Sequence, residues 1–262
     1  MAKSEALLQE TIDGVVLLTI NRPERRNALS HDLWLELREL LGELRSDTGG
    51  LIVTGAGDRA FAAGADVAEL VDRSPLVALD GLVQGILLQL QDLPFPTIAA
   101  LNGHALGGGW ELALACDLRL AVSSARVGFP EVGLGIIPGA GGTIRLLEHV
   151  GVGRAMEWIL TGRLLDAHEA ASYGLINRVV GDGDVVAEAL SLMKELQAQP
   201  RLAVRLAKMM VKATARGEAS PDLERLAYTL TYHSPERSER MHHFLDQRSK
   251  RDGKKPADTK RD

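Results

Sequence analysis

A single cysteine, Cys116, in 262 residues excludes an internal disulfide framework and a cysteine-built zinc site. Its place in an apolar run makes it a buried structural thiol, which suits a reducing compartment. No stretch approaches the ~18 consecutive apolar residues of a membrane span. Residues 1–20 carry acids and an alternating segment, not the basic start and unbroken apolar run of a secretory signal. A cytoplasmic location is therefore expected. Excess charge is scarce as well: the formal net charge is −5, so the chain as a whole attracts neither nucleic acid nor anionic lipid. Only the stretch from Ser249 to Asp262 is locally basic, with Lys250, Arg251, Lys254, Lys255, Lys260 and Arg261, and it reads as a solvated, disordered tail.

With 45% hydrophobic and 25% charged residues, the chain can bury a full core as one large domain, or as one domain with an appendage. Val15–Ile20 is β-branched and apolar and ends at Asn21-Arg22-Pro23, which predicts a strand entering a turn. Ser30 can cap a helix whose stripe is Leu33, Leu37, Leu40, Leu41 and Leu44. Leu51–Thr54 predicts a strand ending in Gly55-Ala56-Gly57. A second stripe, Leu79, Leu82, Val83, Ile86 and Leu90, predicts one helix before Pro94. Thr97–Leu101, a helix from about Gly109 to Cys116, and Leu118–Val122 continue the alternation, which indicates an α/β core. Beyond about Pro200 only helical patterns remain. The expected organisation is a core over 1–200, a helical oligomerisation region over 201–248, and the basic tail over 249–262.

Two glutamates twenty residues apart stand beside glycine-rich turns, Gly107-Gly108-Gly109-Trp110-Glu111 and Glu131 before Gly139-Ala140-Gly141-Gly142-Thr143. Glycine lets main-chain amides approach a ligand, and a carboxylate alongside can act on whatever those amides hold. The turns Phe61-Ala62-Ala63-Gly64-Ala65-Asp66 and Gly107–Gly109 both follow predicted strands, so each can aim one amide at a single oxygen. Taken singly, each glycine is equally well explained by a tight turn or a close helix contact, and Glu111 by the macrodipole at a helix start. Gly139–Thr143 lacks the Lys-Ser/Thr pair of a P-loop, and no Gly-x-Gly-x-x-Gly follows the first strand. No serine lies in a Gly-x-Ser-x-Gly elbow. The seven histidines show no metal-ligand spacing with carboxylates.

These motifs together resemble the crotonase superfamily, specifically its enoyl-CoA hydratases, over nearly the whole chain. The matching residues are Asn21-Arg22-Pro23 with Asn27-Ala28-Leu29, Ala60–Asp66, Pro96–Ala100, Asn102-Gly103, Ala105–Gly109, Glu111–Asp117 and Glu131–Thr143. Leu160-Thr161-Gly162, Ala170, Gly174-Leu175-Ile176 and Phe244 extend the likeness. The resemblance implies an α/β spiral of ββα repeats followed by helices that form a homotrimer or homohexamer. It also implies reversible hydration of the 2,3 double bond of an enoyl-CoA thioester, as in fatty-acid or branched-acyl degradation. In that family's terms the amides of Ala65 and Gly108 form an oxyanion hole, and Glu111 and Glu131 are the catalytic pair. Arg25, Arg26, Ala63, Asp66, Val67, Ala68 and Phe244 fall at positions that contact coenzyme A. No metal or redox cofactor is implied, since coenzyme A is part of the substrate. Ala68 and Gln247 stand where the family often has lysine, and Trp110 is bulky for its place beside the acyl pocket. Methylglutaconyl-CoA hydratase and enoyl-CoA isomerase are the alternatives of the same fold. An RNA-binding scaffold using the basic tail is the alternative of another class, disfavoured by the acidic net charge.

Overall fold

The computed structural model describes residues 5–71, 74–181 and 184–251, the last three by backbone alone. The chain divides into two compact units, one ending at Gln197 and the other beginning at Ala198.

The first unit opens on a hairpin of β1 (Leu7–Ile12) and β2 (Val15–Ile20). Asp13 and Gly14 close it, both at positive φ, 50° and 78°. Two such residues suit a primed hairpin turn, whose twist matches that of the strands it joins. After a 3-10 turn (Pro23–Arg25) comes α1 (His31–Glu43), capped by Ser30 Oγ accepting from the Leu33 amide. Its leucine stripe faces inward, as its spacing requires.

A repeating unit follows. β3 (Gly50–Gly55) enters a six-stranded sheet, β4 (Ala60–Ala62) enters a four-stranded sheet, and α2 (Val67–Val71), α3 (Pro75–Leu79) and α4 (Leu82–Gln91) come next. β5 (Thr97–Leu101), β6 (His104–Leu106) and α5 (Gly108–Ala115) repeat the pattern. So do β7 (Leu118–Val122), β8 (Arg126–Gly128), a 3-10 turn (Glu131–Leu134) and α6 (Gly142–Thr161), which is kinked at Gly151. β9 (Leu164–Asp166), α7 (Ala167–Ser172), β10 (Arg178–Val180) and α8 (Val185–Gln197) complete the unit. The sheet orders are β1-β2-β3-β5-β7-β10 and β4-β6-β8-β9. Because β3, β5 and β7 are parallel, and β4, β6 and β8 likewise, each repeat stacks on the one before it as a turn of a spiral.

Alternation along the large sheet sorts its side chains between two cores. Leu51, Val53, Ala99 and Leu101 join the main cluster beneath α1, α4 and α5, while Ile52, Ile98, Ala100 and Leu120 pack against Val185, Ala189, Leu192 and Met193 of α8. Burial on both faces explains why these strands read as unbroken apolar runs. Each fully buried aliphatic side chain contributes roughly 1.5–3 kcal/mol. Cys116 is buried, as expected of a structural thiol.

Polar side chains brace the corners of the spiral. Asn27, wholly buried at φ 56°, accepts from the Arg22 amide and donates to the carbonyls of Ala56 and Ala60 at 3.0 and 2.7 Å. Asn102 accepts from the Gly55 amide and donates to the Gly57 carbonyl. Thr97 and Asp117 exchange reciprocal hydrogen bonds of 2.8 and 2.9 Å. Losing the Asn27–Ala60 bond would strand a buried donor and acceptor, at a cost of about 1–3 kcal/mol.

Two expectations change. The stripe from Leu79 to Leu90 does not form one helix, because Gly81 adopts φ 69° between α3 and α4 and leaves Leu79 exposed. In the second unit α9 (Arg201–Ala215), α10 (Pro221–Tyr232) and α11 (Pro235–Arg251) follow one another, and α11 runs three residues into the expected tail. Residues 252–262, where the rest of that tail was placed, lie outside the described residues. Ser220 caps α10, and Arg237 lies 4.2 Å over the Tyr232 ring. Leu226, Leu230, Met241, Phe244 and Leu245 are exposed. No helix of the described residues is long and apolar enough to cross a membrane.

Candidate active site

Parallel strands place their carboxyl ends side by side, and functional turns gather at such ends. Here the turns leaving β4, β6 and β8 carry Gly64-Ala65, Gly107-Gly108 and Glu131. Leu29 pairs with Ala65 across an isolated parallel bridge: its amide donates to the Gly64 carbonyl at 2.8 Å, and its carbonyl accepts from Asp66 at 3.3 Å. These bonds fix the peptides flanking the Ala65 amide and leave that amide turned away from the bridge. Gly107, at φ 52° and ψ −125°, reverses the chain so that α5 starts at Gly108. A β-carbon on Gly108 would stand 3.7 Å from the Ala65 nitrogen, and one on Gly64 would stand 3.7 Å from the Gly108 nitrogen. Two main-chain donors thus lie in one small region, the second at the positive end of a helix.

The two glutamates are held differently. Glu111, in the first turn of α5 and buried, accepts on Oε1 from the amides of Ala140 and Gly142 at 2.7 and 2.8 Å. Those amides belong to the start of α6, where main-chain donors lack helical partners, so Glu111 caps that helix. Burial pushes the Glu111 carboxyl up, and the Gly142 and Ala140 amides and the Arg145 charge oppose the rise. Glu131 is also buried, but its Oε2 has no hydrogen-bond partner among the described residues. Its Oε1 lies where a β-carbon on Gly107 would approach to 2.8 Å, directly beside the Gly107-Gly108 turn. Burial pushes Glu131 up to about 7, against its own backbone amide, and the charge on Glu111 adds to the rise. Burial thus favours the protonated form of both carboxyls, and Glu111 alone of the two has amides from the Gly139–Gly142 turn that oppose it.

The residues matched to coenzyme A contacts divide into a cluster and outliers. Arg25 and Arg22 both pair with Asp66 Oδ2, at 3.0 and 3.4 Å, and the Ala63 amide donates to the Arg26 carbonyl at 3.1 Å. The Arg25 hydrogen bond holds the Asp66 carboxyl below its usual range. Arg25, Arg26, Ala63 and the buried Asp66 thus cluster beside the Ala65 turn. Val67 and Ala68 are exposed at the start of α2. Phe244 is exposed on α11 in the second unit. Trp110 is buried in the main apolar core, so its bulk is used in packing α5. Sequence reasoning missed Asn27, Arg22 and Arg145 as site scaffolding. Asn27 carried a signal, since asparagine is among the few residues that tolerate positive φ.

A spiral of ββα repeats with paired amides and glutamates at its strand ends defines a class, and the comparisons agree with it. The enoyl-CoA hydratase/isomerase family model matches residues 10–253, and the chain belongs to that family. A crotonyl-CoA hydratase from Syntrophomonas wolfei is 38% identical over 254 residues, covering 93% of this chain and 96% of the relative. A short-chain-enoyl-CoA hydratase from Clostridium acetobutylicum is 38% identical over 243 residues, covering 89% and 92%. The crystal structure of an enoyl-CoA hydratase from Bacillus anthracis superimposes with a TM-score of 0.85 at 36% identity, covering 93% of this chain and 97% of that one.

Proposed function

We propose that the protein is an enoyl-CoA hydratase that adds water reversibly across the 2,3 double bond of an enoyl-CoA thioester. The observation that carries the reading is the unequal pair: Glu111 braced by two amides, Glu131 buried with an unpartnered oxygen. Attack of water at C3 forms the C–O bond and moves the π electrons through C2 onto the thioester oxygen, giving an enolate. The Ala65 and Gly108 amides donate to that oxygen, and donors of this kind are worth about 3–4 kcal/mol each. Glu111, ionised, takes the proton of the attacking water. Glu131 gives its proton to C2 as the enolate collapses to the hydroxyacyl thioester. Dehydration retraces these steps with the roles exchanged.

An isomerase only moves a proton and can manage with one acid, so two buried carboxyls favour hydration. Arg25, Arg26, Ala63 and Asp66, with Val67 and Ala68, form the surface on which the coenzyme A portion lies. The proposed reaction uses no metal or redox cofactor. The reading extends to a homotrimer or homohexamer in the cytoplasm, supported by the exposed apolar side chains of α10 and α11. The test is a steady-state assay following loss of enoyl absorbance with straight-chain and branched enoyl-CoA thioesters, including methylglutaconyl-CoA. Turnover of the straight-chain substrates is expected. No hydration of any of them, with double-bond migration instead, overturns the reading.

A further inference from the structure

We propose that Arg145 is a positioning residue for this reaction: its guanidinium shapes the Gly139–Gly142 turn so that two amides converge on Glu111. The inference rests on the reading of Glu111 as the base.

Arg145 lies in the first turn of α6 and is almost fully buried, at 5% exposure. Its Nη1 donates to the Ala140 carbonyl at 2.7 Å, and its Nε donates to Gln91 Oε1 on α4 at 3.2 Å. Ala140 is therefore held on both sides, its carbonyl by Arg145 and its N–H by Glu111. The guanidinium also lies over Gly141, where a β-carbon would approach Nη1 to 2.5 Å and where φ is 92°. A run running Gln91, Arg145, Ala140, Glu111 thus links α4 through the turn to the carboxylate.

A buried guanidinium carries a desolvation penalty, which a neutral or apolar side chain bracing the same turn would avoid. The charge has a use in the electrostatics of the site. The Arg145 charge, from α6, acts on Glu111, and the Glu111 charge acts on Glu131 in the 3-10 turn. Arg145 stabilises the ionised form of Glu111, and ionised Glu111 in turn helps Glu131 keep its proton. The arginine thereby adds to the inequality that the two amides already set between the carboxyls.

The experiment compares kcat/KM against pH for wild type, Arg145→Gln and Arg145→Lys, using crotonyl-CoA and confirming the fold of each by circular dichroism. Hydration needs ionised Glu111, so the rate falls on the acidic side as pH drops through that group's pKa. Removing the charge in Arg145→Gln is expected to move this limb upward and to lower kcat by roughly 10- to 100-fold. Arg145→Lys should keep the limb near its wild-type place while still losing kcat, because lysine supplies charge without the fork. If Arg145→Gln does not fold, Gln91→Leu is expected to move the limb in the same direction by less. A folded Arg145→Gln, or failing that Gln91→Leu, with the wild-type limb overturns the inference. A wild type that hydrates nothing overturns the functional reading instead, so the two failures are distinct.

Discussion

Glu131 lies within electrostatic reach of Glu111 yet has none of the cross-chain amide support that holds Glu111. Two acids in one site cannot both ionise freely, and unequal support decides which one keeps the proton. The division between the two comes from the start of α6, whose amides reach Glu111 and, among the described residues, not Glu131 Oε2.

The first prediction follows from that division. Glu111→Gln and Glu131→Gln should each lower kcat by ~100-fold or more without loss of fold. The wild-type rate of hydration should fall as pH rises through about 7, where Glu131 loses its proton. In Glu131→Gln this basic limb should vanish from the residual activity. Near-normal turnover of crotonyl-CoA by either variant would remove that carboxyl from the chemistry.

A second prediction concerns Gly107. Its backbone, at φ 52° and ψ −125°, is open in practice to glycine alone, and a β-carbon there would stand 2.8 Å from Glu131 Oε1. Gly107→Ala should displace both the Gly108 amide and Glu131, lowering kcat by about 100-fold. Gly85 in α4 is the control, because a β-carbon there meets nothing within 4 Å. Gly85→Ala should leave activity unchanged and raise stability by about 0.5–1 kcal/mol. Equal activities for the two variants would contradict the placement of Glu131 against the turn.

Much of this was legible in the chain because local rules and global fold agree. The leucine stripe of α1 with Ser30 ahead of it, the strand Val15–Ile20 and the two glycine turns each follow from spacing or residue type. The hairpin at Asp13-Gly14 was equally readable, since Asp-Gly is a strong primed-turn signal, yet the run before it is polar and exposed and looks unlike a strand. Leu79 misled because apolar spacing continues across Gly81, where the backbone does not. Short strands such as Ala60–Ala62 and Arg126–Gly128 are too brief for periodicity to register. Arg145 was invisible for a different reason. Thirty-four positions separate it from Glu111, and only the spiral brings the first turn of α6 over α5.

A third prediction tests the arginine surface. Arg25 is more than half exposed while paired with Asp66, so its guanidinium can also meet an anion from solution. Arg25→Ala should raise KM for an enoyl-CoA by roughly 5- to 10-fold with kcat little changed, the pattern of lost uniform binding. The increase should shrink at high salt. A pantetheine thioester, which lacks the nucleotide phosphates, should show no difference between wild type and variant. A matching loss on the truncated substrate would place the effect of Arg25 elsewhere.

The last prediction turns the acidity of Glu131 into stability. In the folded chain its proton is held up to about pH 7, whereas the ordinary carboxyl value for the unfolded chain is 4.5. Between those values the native state binds more protons than the unfolded state, so this group's contribution falls as pH rises, is intact below 4.5 and is lost above about 7. The difference corresponds to at most about 3.5 kcal/mol. Glu131→Gln does not titrate and should therefore be more stable than wild type at pH 8, with the advantage narrowing steadily toward pH 4.5. Trp34, Trp110 and Trp158 all lie in the first unit, so urea unfolding followed by tryptophan fluorescence reads the unit that holds Glu131. An advantage that stays constant from pH 4.5 to pH 8 would mean that the buried Oε2 carries no charge to relieve, and Glu131 would then lose its place as the proton donor.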